Sequence, residues 1–180
     1  MEKEKLELRM FGFVPYNISE IQKGIQYGHA KDQYERNFKN TELYNDWADN
    51  WKTYIIKNGG TTNLNKESRF YGSLNKVLDT LNEQGIDLGA FYEPDIGDQL
   101  TGIALIADER VFNNEDYPDF AGYMKGRISD ISWLSYFKNG PGAAVQATEE
   151  LPEEYEDWLE TVGGTKNAFL KSYLPKFRLA

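Results

Sequence analysis

The stretch Phe11–Glu35 (FGFVPYNISEIQKGIQYGHAKDQYE) constrains the fold most, since it predicts a strand that leads through a short polar turn into a helix. Ser19 suits the N-cap position of that helix, and Gln22 stands three residues later, which is the spacing of a capping box. Local chemistry therefore predicts where the helix begins, and the orientation of all its side chains follows from that start.

One face of this first helix carries amide and imidazole side chains. Spacings of four, three and four residues place the following on one side: Gln22, Gln26, His29 and Gln33. His29, the only histidine of the chain, can act as a general base or hydrogen-bond a ligand, or it can be a buried histidine bonded to a backbone carbonyl. The glutamines can recognise a base edge or an amide, or they can form a solvated helix face.

Two glycines, Gly24 and Gly28, follow a neighbouring stripe of the same helix. Because a missing side chain permits close approach, we expect both to face the backbone of a strand. Ile21 and Ile25 are expected in the core beside them.

Downstream, strand patterns alternate with helical ones. Strands are predicted over 6–14, 52–57, 86–92 and 100–107, and helices over 21–36, 42–49, from 73, over 152–161 and over 165–174. This order predicts an α/β fold with a single mixed sheet and helices packed on it. We expect an α/β core over 1–112 and, over 113–180, a C-terminal loop and helical extension packed on the core, with a mobile loop at 138–148.

Two polar turns follow predicted strands. The first contains Asn58, Gly59, Gly60 and Thr61, whose N–H groups either surround an anion or form an ordinary loop at a strand end. It lacks the lysine and the following helix of a P-loop.

The second turn carries Glu93, Asp95 and Asp98, which suit a divalent cation or acid–base chemistry, or a turn capped by Asp95. Ligands gather at the carboxyl ends of strands in α/β sheets. If strands two and three are neighbours, the two turns and the first helix are expected to line one pocket.

Composition excludes several classes of site. The absence of cysteine removes disulfides, thiolate metal sites and cysteine nucleophiles, and a single histidine excludes a multi-histidine metal site. The net charge of −9 disfavours nucleic acid. No apolar run has membrane-spanning length. We expect a cytoplasmic protein with no membrane association, no cofactor and no metal, for which homo-oligomerisation remains open.

A resemblance to a known family emerges from two short motifs. Gln26-x-x-His29-Ala30 on the first helix, and Asp95-Ile96-Gly97-Asp98-Gln99 before the last apolar strand, resemble the type II peptidyl-tRNA hydrolases over residues 8–112. The whole chain is also similar to bacteriophage proteins of unknown role. The family resemblance implies its α/β fold and, for an enzyme, His29 and Asp95 as catalytic residues.

The departures from the family pattern concern its catalytic and basic residues. The family lysine four residues before the glutamine corresponds to Gln22, and the arginine and threonine of the DAGRTQ pattern correspond to Asp98 and Gln99. An amide cannot act as a base, and a cation has become an anion. We therefore expect no hydrolysis of peptidyl-tRNA.

The leading hypothesis is binding of a small polar or nucleotide-like ligand. For a phage-encoded protein, the resemblance implies that this binding sequesters a signalling molecule in the host cytoplasm. The expected contacts are Gln22, Gln26, His29, Asn58, Gly59, Gly60, Thr61 and Asp95. The alternatives are a divergent peptidyl-tRNA hydrolase and a protein-interaction module. The module would use the seven acids of 149–160, otherwise a solvated helix face, or an aromatic surface near Trp133 and Tyr136.

Overall fold

The structure, a computed structural model, describes residues 5–125 and 152–180 of the chain. Its strands are β1 (Leu8–Pro15), β2 (Thr53–Gly60), β3 (Gly89–Glu93) and β4 (Gln99–Asp108). Its helices are α1 (Glu20–Phe38), α2 (Glu42–Asp46), α3 (Ser73–Glu83), α4 (Glu109–Phe112), α5 (Phe120–Lys125), α6 (Pro152–Val162) and α7 (Thr165–Tyr173). The loop expected at 138–148 and the surface expected near Trp133 and Tyr136 lie outside the described residues.

The four strands form one mixed sheet in the order β2-β1-β4-β3. β1 and β2 are parallel, whereas β4 is antiparallel to both of its neighbours, β1 and β3. β1, β2 and β3 therefore run in the same direction. The prediction of an α/β protein with a single mixed sheet is confirmed. The central strands β1 and β4 are buried along nearly their whole length, as expected when both faces of a sheet are covered.

The predicted capping box at the start of α1 is present. The Gln22 N–H donates to Ser19 Oγ at 3.3 Å, and Gln22 Oε1 accepts from the Ser19 N–H at 3.1 Å. The box satisfies two backbone donors that the first turn of a helix otherwise leaves without a partner. It thereby fixes where α1 begins.

The side of α1 that packs on the sheet carries Tyr27, Ala30 and Tyr34, all buried. The Tyr27 hydroxyl donates to the Met10 carbonyl at 3.2 Å, and burial raises the pKa of this phenol. The glycine that lets the backbones of helix and strand approach each other lies on β4, not on α1. A Cβ on Gly102 would lie 2.5 Å from the Gln26 carbonyl oxygen and 2.9 Å from Ala30 Cβ.

The expectation that Gly24 and Gly28 face a strand is wrong. A Cβ added at either position would meet nothing within 4 Å, and Ile21 and Ile25 are 78% and 49% exposed. The physical reason is rotational. With Tyr27 and Ala30 turned toward the sheet, this glycine–isoleucine stripe points away from it.

The other face of the sheet is covered by α3 and by the C-terminal segment. Leu74, Val77 and Leu81 of α3 are buried, and Leu74 lies against Gly59. The ring of Phe177 packs edge-on against Phe13, with centroids 4.9 Å apart. These last residues, predicted to belong to an extension packed on the core, thus complete this layer.

The last residues also extend the sheet beyond β2. The Asn58 N–H donates to the Arg178 carbonyl at 2.9 Å, and the Ala180 N–H donates to the Ile56 carbonyl at 3.0 Å. Leu179 pairs with Lys57 in an antiparallel bridge. Part of the outer edge of β2 is therefore hydrogen-bonded, which protects it from pairing with another chain.

The chain divides into two compact units: one extends up to Glu109 and includes Pro175–Ala180, and the other spans Arg110–Leu174. In the second unit, a core of aromatic and aliphatic side chains joins α5, α6 and α7: Phe120, Met124, Trp158, Leu159, Val162 and Ala168. Lys171 is buried and donates to the Arg110 carbonyl at 3.1 Å, and burial lowers its pKa. No helix in the described ranges is long and apolar enough to span a membrane.

The first prediction concerns the approach of α1 to β4. Gly102→Ala should destabilise the protein by about 1–3 kcal/mol, because the new methyl group meets the helix backbone. Gly28→Ala is the matched control. Its methyl group points into open space, and alanine favours helix by roughly 0.5–1 kcal/mol, so its stability should equal or exceed the parent's. Urea unfolding at low protein concentration measures both variants. Equal midpoints for Gly102→Ala and the parent would contradict the packing.

Candidate functional site at the carboxyl edge of the sheet

The carboxyl ends of β1, β2 and β3 lie at one edge of the sheet, because these strands run in the same direction. β2 and β3 are nevertheless the two outer strands, with β1 and β4 between them. The assumption that they are neighbours is wrong. Three interstrand spacings separate their ends by about 14 Å. The two polar turns therefore belong to different regions of this edge.

The first region contains Asn58, Gly59, Gly60 and Thr61. The first three of these residues belong to β2 rather than to a free turn. The Gly60 N–H donates to Asn58 Oδ1 at 2.9 Å, and the Thr61 N–H donates to Ser73 Oγ at 2.8 Å. Two of the amides expected to surround an anion are thus already hydrogen-bonded within the protein.

Gln22, His29 and Asp95 are exposed. Gln22 is engaged in the capping box, and Asp95 lies in a short 3-10 turn after β3. The imidazole of His29 packs on the Phe91 ring of β3, with centroids 4.5 Å apart. The interpretation of His29 as a buried histidine is wrong. An expected ligand contact at any of these three residues stays a prediction.

Gln26 is the candidate whose side chain is held in place by other elements. Its Nε2 donates to Glu93 Oε2 at 2.7 Å, and its Oε1 accepts from Thr101 Oγ1 at 2.6 Å. Thr101 is only 3% exposed. A chain of hydrogen bonds therefore joins β4, α1 and β3 and fixes the orientation of both the amide and the carboxylate.

A β-bulge explains how one glutamine reaches both strands. Phe91 pairs with Gly102, but the next residue, Tyr92, pairs with Leu100, so Thr101 is an extra residue in β4. Bulges re-aim side chains, and here the Thr101 hydroxyl is directed toward α1. Gly102, the adjoining residue, lets the helix come close enough for the contact.

Two further side chains lie on the same side of the sheet. Lys23 is one helical turn before Gln26. Its side chain is 13% exposed, and its ammonium group contacts Glu20 at 2.8 Å. Gln99 is directly opposite Glu93 across the β3–β4 pair, and directly opposed side chains project from the same face. We call Lys23, Gln26, Glu93, Gln99 and Thr101 the Gln26 cluster.

Gln99 Oε1 is a buried acceptor that has no hydrogen-bond partner in the part of the chain that the structure describes. A buried acceptor without a donor is costly, so it is a natural contact for a bound molecule. Within the same residues, no group of three or more histidine, aspartate or glutamate side chains is arranged to hold a metal ion. The cluster offers hydrogen-bond donors and acceptors to a bound molecule.

Sequence analysis missed Lys23, Gln99 and Thr101 as neighbours of Gln26. A signal for Thr101 was present, since an isolated glycine inside a strand pattern, here Gly102, indicates a bulge or a close approach. Gln99 carried no such signal, because its proximity depends on the strand register. Lys23 stands three residues before Gln26 on the same helix, a spacing that the sequence already shows.

The second prediction tests the hydrogen bond between Thr101 and Gln26 with a double-mutant cycle. Thr101→Val alone should cost about 1–3 kcal/mol of unfolding free energy, because a half-buried amide oxygen loses its donor. In a Gln26→Met background the same change should cost much less, giving a coupling of about 1 kcal/mol or more. Thr80→Val on α3 is the control and should be additive with Gln26→Met within about 0.5 kcal/mol. Additivity of Thr101→Val with Gln26→Met would refute the contact.

No protein-family model matches the chain, and no curated protein matches it.

Proposed function

We propose that the protein binds a small polar ligand at the Gln26 cluster and does not convert it. The observation that carries this proposal is the hydrogen-bonded chain from Thr101 through Gln26 to Glu93. It lies where the strands β1 and β3 end and β4 begins, the part of an α/β sheet at which ligands characteristically bind.

Preorganisation supports binding at this place. The Gln26 amide is held at both its nitrogen and its oxygen, so little conformational freedom remains to be lost when a ligand binds. Each group also keeps hydrogen-bonding capacity. The amide nitrogen has a second hydrogen, and the Glu93 carboxylate has a second oxygen. Adjacent donors and acceptors of this kind match the edge of a nucleobase or an amide.

A nucleotide-like molecule belongs to this ligand class because a base edge pairs donors with acceptors. The contacts proposed here are to Gln26 and Glu93, with Asn58–Thr61 about 14 Å away across the sheet. Binding without turnover suits sequestration, and for a phage protein the sequestered molecule would be a signalling compound of the host.

The third prediction is that the purified protein retains a small molecule. Mass spectrometry of the supernatant after heat denaturation should detect a polar compound with the parent. Gln26→Ala should lose it, because both held contacts disappear. Gln33→Ala is the matched control: Gln33 lies on the same helix and makes no side-chain hydrogen bond within the described residues. Parent protein that neither releases a compound nor shows a thermal shift with any of a panel of polar metabolites would contradict the proposal.

A divergent peptidyl-tRNA hydrolase is the second candidate, and Lys23 is the observation that favours it. Its side chain shares the sheet-facing side of α1 with Gln26, so an ammonium group is available where Gln22 supplies none. Asp98 in place of the family arginine and the net charge of −9 oppose an anionic substrate. This second proposal includes the fold that is specific to the type II peptidyl-tRNA hydrolases.

The fourth prediction is that the protein does not turn over peptidyl-tRNA. Gln22 stands at the position of the family lysine and its amide cannot act as a base, and the negative charge of the chain disfavours approach of RNA. A purified assay with stoichiometric and catalytic amounts of protein measures this. Multiple turnover that is abolished by Lys23→Ala or Asp95→Ala, but retained in the exposed control Lys39→Ala, would establish the hydrolase instead.

A further inference from the structure

We infer that the ligand of the Gln26 cluster presents two neighbouring N–H donors, as on the N–C–N edge of a guanidinium group or of guanine. This inference rests on the proposed function and adds the chemical class of the ligand. It is carried by the kind of hydrogen-bonding groups in the cluster and by the charge around them.

Two groups of the cluster that await a partner are acceptors. Gln99 Oε1 is buried without a donor in the described residues. Across the strand pair, Glu93 uses Oε2 to accept from Gln26 and has Oε1 as a further acceptor. The side chains of such a pair start about 5 Å apart on one face, within reach of a single planar group. A ligand with two adjacent donors would satisfy both oxygens, whereas a phosphate or carboxylate would bring acceptors to acceptors.

The local charge points the same way. Residues 77–109 contain no lysine, arginine or histidine, and the acids of this stretch that lie in the cluster or in the turn beside it are Glu93, Asp95 and Asp98. Two of these lie in the turn between β3 and β4, next to the cluster. The one cation of the cluster, Lys23, contacts the Glu20 carboxylate. The resulting potential attracts a cation, tolerates a neutral donor edge and repels an anion.

Arginine and guanosine carry the same donor edge, one charged and one neutral, and binding measurements separate them. Isothermal titration and thermal shift should show binding of at least one. Binding of arginine but not of guanosine would identify the ligand as a guanidinium compound. Binding of guanosine but not of arginine would identify it as a guanine compound. Lysine has the charge of arginine without its N–C–N edge, and adenosine is a purine without the guanine edge. Neither of these two controls should bind.

Two variants tie the binding to the acceptors. Glu93→Gln should weaken binding roughly 10- to 100-fold, because a charge-assisted hydrogen bond becomes a neutral one. Glu83→Gln removes one negative charge from an exposed position of the same stretch and should leave binding unchanged.

Gln99→Met should weaken binding roughly 3- to 10-fold. Without ligand, it should leave the thermal midpoint unchanged or raised, because a buried acceptor without a donor disappears. A merely structural Gln99 would lower the midpoint instead.

Other outcomes overturn the inference. It is wrong if neither arginine nor guanosine binds, if lysine or adenosine binds equally well, or if Glu93→Gln binds as tightly as the parent. A co-purified compound that lacks an N–C–N donor edge and is lost in Gln26→Ala would overturn this inference and leave the proposed function intact. Absence of any ligand for the parent would overturn both.

Discussion

The close approach of α1 to β3 and β4 is the constraint on which the candidate site depends. Gly102 and Gly89 have no side chains, so the backbone of α1 lies directly over the sheet at Gln26 and Ala30. Without that approach, the Gln26 amide could not reach Glu93 and Thr101 together. The packing of the helix and the polar contacts at its side are therefore two consequences of the same pair of strand glycines.

The capping box and the bulge orient the groups that this approach brings together. Ser19 and Gln22 set where α1 begins, and the buried face of Tyr27 and Ala30 sets its rotation about its axis. The bulge at Thr101 turns a hydroxyl toward the helix from a strand that is otherwise apolar. The capping box and the bulge each involve only a few neighbouring residues, but the hydrogen bonds that join Thr101, Gln26 and Glu93 need both. A shift of one residue in either element would turn its polar side chain away.

Much of the fold could be predicted because it is encoded locally. The capping box at Ser19, the apolar run that became β4 and the helix beginning at Ser73 are all found near their predicted positions. The roles of the glycines could not be predicted, because a glycine permits close approach without saying what approaches. Gly24 and Gly28 are open to solvent, whereas Gly102 contacts a helix. Asn58 and Gly60 belong to a strand because Val14 and Pro15 of β1 pair with them.

Two residues of the site could be predicted from the sequence. Gln26 was identified from its spacing on the helix, and Glu93 was identified as one of the carboxylates in a polar turn that follows a strand. Their direct contact depends on the order β2-β1-β4-β3, which local patterns do not reveal. The same order separates the glycine-containing end of β2 from β3. The sequence therefore revealed Gln26 and Glu93, but it did not reveal that β2 and β3 are the two outer strands, so residues of both strands were predicted to line one pocket.

The C-terminal segment has a consequence for folding during synthesis. Phe177 and Arg178 contact Lys57 and Asn58 from about 120 positions further along the chain. When a ribosome has made all of β1 and β2, the segment that hydrogen-bonds to the outer edge of β2 has yet to be translated. Long-range pairings of this kind form late, and an uncovered strand edge invites association with other chains. Until the C-terminal segment is made, the outer edge of β2 lacks these hydrogen bonds and is open to mispairing.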